Sequence, residues 1–265
     1  MKIVASYSIK GGVGKTAASV NLAYASAKAG NETLLIDLDP QGASSFYFRI
    51  GESKKEKKGY FFTKKTRLLQ RIKGSNYKHL DILPANLSFR NFDIMLNNMN
   101  KSKKRLKELL AVLNDEYDLI ILDCPPNINL LSENVFNAAD MVLVPVIPTT
   151  LSERTYEQLI TFFNKNGYNK KIIHPFFSMA QSKNKLHRQT IDEMAQRHPE
   201  FMKSIIGFST EIERMGIHRE PVLAYASKKS FVQAYRTLFN EIVSTMSSQD
   251  HVTKNSSSKN KKAKR

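Results

Sequence analysis

Two lysines, a threonine and three glycines are gathered in Lys10-Gly11-Gly12-Val13-Gly14-Lys15-Thr16, directly after the apolar run 3–9. A hydrophobic strand that turns through closely spaced glycines into Lys-Thr and a helix is a cradle for phosphate groups. Side chains in the turn would hold the backbone away, whereas bare glycines let its N–H groups converge on the phosphates. The positive end of the helix expected from Lys15 to about Ala29 adds to the same field. Lys15 is placed to reach β- and γ-phosphates, and the Thr16 hydroxyl to ligate Mg²⁺.

Acids follow at two further points. Asp37 and Asp39 lie in Asp37-Leu38-Asp39-Pro40-Gln41-Gly42, after an apolar strand at 33–37. Asp123 ends the run Tyr117-Asp118-Leu119-Ile120-Ile121-Leu122-Asp123-Cys124-Pro125-Pro126. Uninterrupted apolar runs suit strands buried on both faces of a parallel sheet. Such a sheet delivers residues to its carboxyl edge, where ligands of open α/β folds collect. A carboxylate there can orient an attacking water.

The elements that must position these groups follow in order. Strands are expected at 79–85, 141–145 and 172–179. Helices are expected at 68–72, 101–113 and about 152–164; Leu106, Leu109, Leu110 and Leu113 form a helical stripe in the second. A chain of 265 residues is long enough for one substantial α/β core. No apolar run approaches the ~20 residues of a membrane span, and Met1-Lys2 leads straight into the first strand, as in a chain without a leader. A single cysteine, Cys124, excludes an intrachain disulfide and reads as a small packing residue; the six histidines are dispersed.

The net charge of +17 is unevenly spread. Residues 51–107 hold 16 Lys/Arg against 4 Asp/Glu, and 246–265 hold 6 against 1. The remainder is balanced at 19 of each. That segregation points to a polyanion surface rather than a solvated face.

The second lysine, Lys10, stands where an ordinary phosphate loop accepts any residue. Lys10–Thr16 thus resembles the deviant Walker A motif KGGVGKT of the ParA/MinD family of partition and positioning ATPases, and the ParA/Soj type in particular. The acidic stretches resemble that family's DxDPQ and DxPP switches. The resemblance implies a doubly wound, mainly parallel α/β sheet flanked by helices, binding ATP and Mg²⁺. It implies that Lys10 contacts the partner subunit's nucleotide and that Lys10, Lys15 and Asp39 serve catalysis. Thr16, Asp37 and Asp123 fall to the metal, and Lys10, Gly11, Gly12, Val13, Gly14, Lys15, Thr16, Ala17 and Met179 to the nucleotide. It covers residues 1–245 apart from the basic stretch near 51–78. Thr210-Glu211-Ile212-Glu213-Arg214 resembles the family's TxIPR segment, with Glu213 in place of the proline.

By the same resemblance, the chain is a slow, partner-stimulated ATPase that dimerises with ATP and binds DNA without sequence preference. It would segregate plasmid or chromosomal DNA with a ParB-like centromere-binding or adaptor protein, in the cytoplasm and on the nucleoid. The alternative use of the same switch is to position a protein cluster or membrane-associated cargo. Candidate DNA-binding residues are Lys54, Lys55, Lys57, Lys58, Lys183, Lys185, Arg188, Lys228 and Lys229. The expected organisation is one ATPase domain at 1–246, with an insertion-like basic segment at about 51–78, and a flexible basic tail at 247–265. That tail lacks the bulky apolar face of a membrane-binding helix, which disfavours the MinD branch.

Overall fold

The structure is a computed structural model and describes residues 1–51, 68–85, 96, 102–226 and 230–262. Its strands are β1 (Lys2–Ser6), β2 (Thr33–Asp37), β3 (Lys73–Gly74), β4 (Leu80–Leu83), β5 (Leu119–Asp123), β6 (Met141–Val146), β7 (Ile173–Ala180) and β8 (Ile205–Gly207). They form one sheet in the order β3-β4-β2-β5-β1-β6-β7-β8. Every pairing is parallel except β3 with β4. The helices are α1 (Lys15–Lys28), α2 (Ala43–Tyr47), α3 (Arg105–Leu110), α4 (Leu130–Ala138), α5 (Thr150–Asn166), α6 (Lys185–Arg197), α7 (Thr210–Glu213), α8 (Met215–His218), α9 (Val222–Tyr225) and α10 (Ser230–Lys262). This is the doubly wound α/β fold.

Successive strand residues point to opposite faces, and each face has its own core. Ile3, Ala5, Leu34, Ile36, Ile120 and Leu122 pack with Val135, Phe136, Tyr156 and Phe163 from α4 and α5. Val4, Leu35 and Ile121 pack with Val20 and Leu22 of α1 and with α10. Helix α10 presents Val232, Tyr235, Leu238, Phe239, Ile242 and Met246 to that second core, a stripe at helical spacing.

Helix ends carry their own signals. Asn129 caps α4 by accepting from Ser132 N at 3.1 Å, while the Asn129 N–H donates to Ser132 Oγ at 2.9 Å. Thr149 caps α5, and Gly167 ends it in the left-handed conformation at φ 70°.

Three details differ from expectation. The amphipathic stretch 101–113 holds only the six-residue α3 between 3₁₀ turns at Ser102–Lys104 and Ala111–Leu113. The stripe decides what is buried, and packing on α4 limits how far a straight helix runs. The short strands β3 and β8 carried no periodic signal. Helix α10 continues to Lys262, past the Ser247 at which a flexible tail was expected. Extending a packed helix needs no new nucleus, so a polar sequence can follow it. Among the described residues no helix is long and apolar enough to cross a membrane.

Candidate functional site

The site is built where β1, β2 and β5 end side by side. Register pairs Asp123 with Ser6 on one side and with Asp37 on the other. Residues 10–14 turn from β1 into α1 at this edge. Gly12 and Gly14 have φ of 70° and 95°. At Gly14 the requirement is double, because a Cβ would also stand 2.8 Å from the Ser178 Oγ. The loop therefore has the open backbone that a phosphate group needs.

The two lysines leave the loop in different directions. Lys15 is buried, and its Nζ folds back to donate to the Lys10 carbonyl at 2.9 Å. Burial lowers its pKa, against the pull of Asp123. The Lys10 Nζ instead extends to the Ser152 Oγ at the start of α5, at 3.4 Å.

Both strand-end acids are fully buried. Asp37 is pushed up to about 7, first by burial and then by the charge of Asp123. Burial also raises Asp123, opposed by hydroxyls of Ser44, Thr16 and Ser19. Ser19 donates to Asp123 Oδ1 at 3.1 Å, and Ser44 donates to Oδ2. Ser45 donates to Asp37 Oδ2 through its N–H at 2.8 Å and its hydroxyl at 2.7 Å. An all-oxygen set of two carboxylates and the Thr16 hydroxyl beside a phosphate loop fits a hard divalent cation such as Mg²⁺. A dication would also offset the charge that burial penalises. Asp39 is half-exposed; its Oδ1 accepts from Gln41 N at 2.9 Å.

A cleft of about 370 Å³ runs from this loop toward α7. Gly11, Gly12, Gly14, Lys15, Thr16, Ala17 and Asp39 border it, as do Tyr47, Met179, Ile212, Glu213 and Tyr235. So the structure brings the loop residues, Asp39 and Met179 to one cavity and sets Asp37 and Asp123 beneath it. Val13 is buried in the loop behind it. Met179 has φ 54°, a left-handed conformation that is unusual for a side chain of its size.

Lys183, Lys185 and Arg188 are exposed where the chain enters α6. Arg188 Nη1 donates to the Ser182 carbonyl at 2.6 Å. Lys183 and Arg188 border a second, wider groove of about 880 Å³ alongside β8. Lys54, Lys55, Lys57, Lys58, Lys228 and Lys229 lie outside the described residues.

A family model described as an AAA domain matches residues 1–173. The chain belongs to this family, as a ParA/Soj-type ATPase. It is 29% identical over 247 residues to the sporulation initiation inhibitor protein Soj of Bacillus subtilis, covering 91% of this chain and 98% of that one. It is 28% identical over 240 residues to the chromosome partitioning protein ParA of Myxococcus xanthus, covering 88% and 85%. Its fold superposes with a TM-score of 0.78 on a plasmid partition protein of Borrelia burgdorferi bound to AMPPNP, at 22% identity and 92% and 99% coverage.

Sequence reasoning had not singled out Ser19, Ser44, Ser45 or Ser178. Ser44 and Ser45 directly follow Gly42-Ala43, and that proximity to the second acidic stretch was their only signal. Nothing in the chain order could link Ser178 to Gly14.

Proposed function

We propose that this ATPase dimerises with ATP, binds DNA without sequence preference in that state, and segregates plasmid or chromosomal DNA with a ParB-like centromere-binding partner. The observation that carries the reading is the divergence of the two loop lysines. Lys15 stays folded within its own loop, whereas Lys10 extends toward α5, away from the phosphates its own loop would cradle. A cation so placed supports a role in the nucleotide site of a second subunit.

In this reading the backbone of 11–14 holds the phosphates and Lys15 neutralises their charge. Thr16, Asp37 and Asp123 hold Mg²⁺, with Ser44 and Ser45 orienting the two carboxylates. Bound there, magnesium would supply charge neutralisation to the phosphates. Asp39 orients the attacking water from the rim of the cleft. Hydrolysis is slow until the partner protein stimulates it, and loss of the γ-phosphate releases the dimer from DNA. Lys183, Lys185 and Arg188, with Lys54, Lys55, Lys57, Lys58, Lys228 and Lys229, supply the phosphate contacts to DNA. Such contacts carry no sequence information, which suits a cytoplasmic protein working across the nucleoid.

The test is binding to a random-sequence duplex with ATP, with ADP and without nucleotide, at several salt concentrations. Tight, salt-sensitive binding with ATP alone is expected. Binding indifferent to nucleotide would reduce the basic segments to a constitutive tether. Absence of binding in every state would redirect the switch to a protein cluster or membrane-associated cargo.

A further inference from the structure

We propose that Glu153, Glu157 and His198 form a zinc site that ties the first turns of α5 to the end of α6. The site is independent of the nucleotide reading, since none of the three side chains borders the 370 Å³ cleft. Glu153 and Glu157 stand one turn apart on α5, so both carboxylates leave the same face of the helix. His198 ends α6, its backbone N–H donating to the Met194 carbonyl at 2.8 Å. One ligand atom from each of the three residues lies within 4.8 Å of the other two.

Unmet bonding at the cluster points to a cation. The Glu153 Oε1 and the His198 Nε2 are enclosed, face each other at 3.9 Å and have no hydrogen-bond partner among the described residues. On the other side of the ring, the His198 Nδ1 faces the Glu200 Oε1 at 3.7 Å. That oxygen in turn accepts from the Tyr156 hydroxyl at 2.6 Å. A carboxylate behind the imidazole keeps the ring proton on Nδ1 and turns the Nε2 lone pair toward a metal. The Tyr156 ring packs edge-on against the imidazole at 5.2 Å and helps to fix that orientation.

One imidazole with two carboxylates suits zinc, whereas magnesium and calcium take oxygen ligands. Bonds of about 2.0–2.1 Å set tetrahedral ligands roughly 3.4 Å apart, so the 3.9 Å pair needs about 0.5 Å of closure. Glu157 is exposed and has room to swing inward, and water completes the four-coordinate set. Arg197 is the competing cation: its Nη2 lies 2.6 Å from the Glu153 Oε1, without the alignment of a hydrogen bond. Its side chain is more than half exposed and also approaches Glu193 at 4.0 Å, so it keeps a carboxylate when zinc displaces it.

The experiment is calorimetric titration of the untagged, nucleotide-free full chain with zinc chloride, in excess magnesium chloride to occupy the carboxylates of the nucleotide site. One zinc ion per chain is expected. His198→Ala and Glu157→Gln should each weaken its binding by at least about tenfold. Because Glu157 is exposed, Glu157→Gln is expected to melt with the wild type, which separates lost ligation from lost folding. Arg197→Gln removes the competing charge and should tighten zinc binding by roughly three- to tenfold. A wild type without saturable zinc binding would overturn the site, as would an affinity unchanged in both ligand variants. Arg197→Gln binding zinc no more tightly than wild type would overturn the exchange of arginine for metal.

Discussion

Replacing Gly14 with alanine tests the geometry of the phosphate loop directly. A non-glycine residue at φ 95° is displaced from right-handed backbone by about 1–2 kcal/mol. The added Cβ would meet the Ser178 Oγ at 2.8 Å, well inside the ~3.5 Å at which such atoms settle. Ser178 is only 3% exposed on β7, and its hydroxyl must shift for the Cβ to fit. Overpacking of that kind costs about 1–3 kcal/mol, which brings the total to roughly 2–5 kcal/mol. The loss should appear in urea unfolding as a lower midpoint, and in weaker Mg·ATP binding wherever the loop shifts to relieve it. Ser178→Ala in the same chain removes the contacting oxygen but not the backbone strain. The double variant should therefore recover about 1–3 kcal/mol of the loss and no more. Two results would refute the reasoning: Gly14→Ala matching wild type in both stability and affinity, or strictly additive effects of the two substitutions.

Lys15→Ala should abolish nucleotide binding, since no other lysine of the loop is folded back onto it; wild-type ATP affinity by calorimetry would count against the phosphate-loop assignment. Asp39→Ala should retain ATP-driven dimerisation, seen by light scattering, while phosphate release falls to background; a monomer in ATP would show that Asp39 has another role. Replacing Lys183, Lys185 and Arg188 together by alanine should flatten the slope of log affinity for DNA against log salt by about 2.7, or ~0.9 for each lost phosphate contact. An unchanged slope would move the contacts to the basic residues outside the described segments.

The proposed nucleotide machinery was legible in the sequence because its chemistry is local. A phosphate loop needs glycines, a lysine and a threonine within a single turn, and each acid sits at the end of its own apolar strand. That made Lys10 to Thr16, Asp37, Asp39 and Asp123 readable before any fold was known, together with the parallel sheet that carries them. The strand runs at β2, β5 and β6 are continuous because both faces are covered, and that pattern survives in one dimension. Short elements such as β3, β8 and α3 were not legible, because neighbours rather than periodicity decide where they start and stop.

What only tertiary structure decided are the relations between distant segments. Register alone sets Asp37 beside Asp123, and packing alone delivers Ser44 and Ser45 to those carboxylates. Ser178 stands over Gly14 from a strand more than a hundred residues away, and Lys10 meets the start of α5. The cleft is likewise lined from separate segments, bearing Tyr47, Met179, Ile212 with Glu213, and Tyr235. Sequence specifies which groups a strand or turn must present, because those constraints act over a few residues. Which groups then face one another depends on strand order and helix packing, interactions that link positions with no fixed separation along the chain.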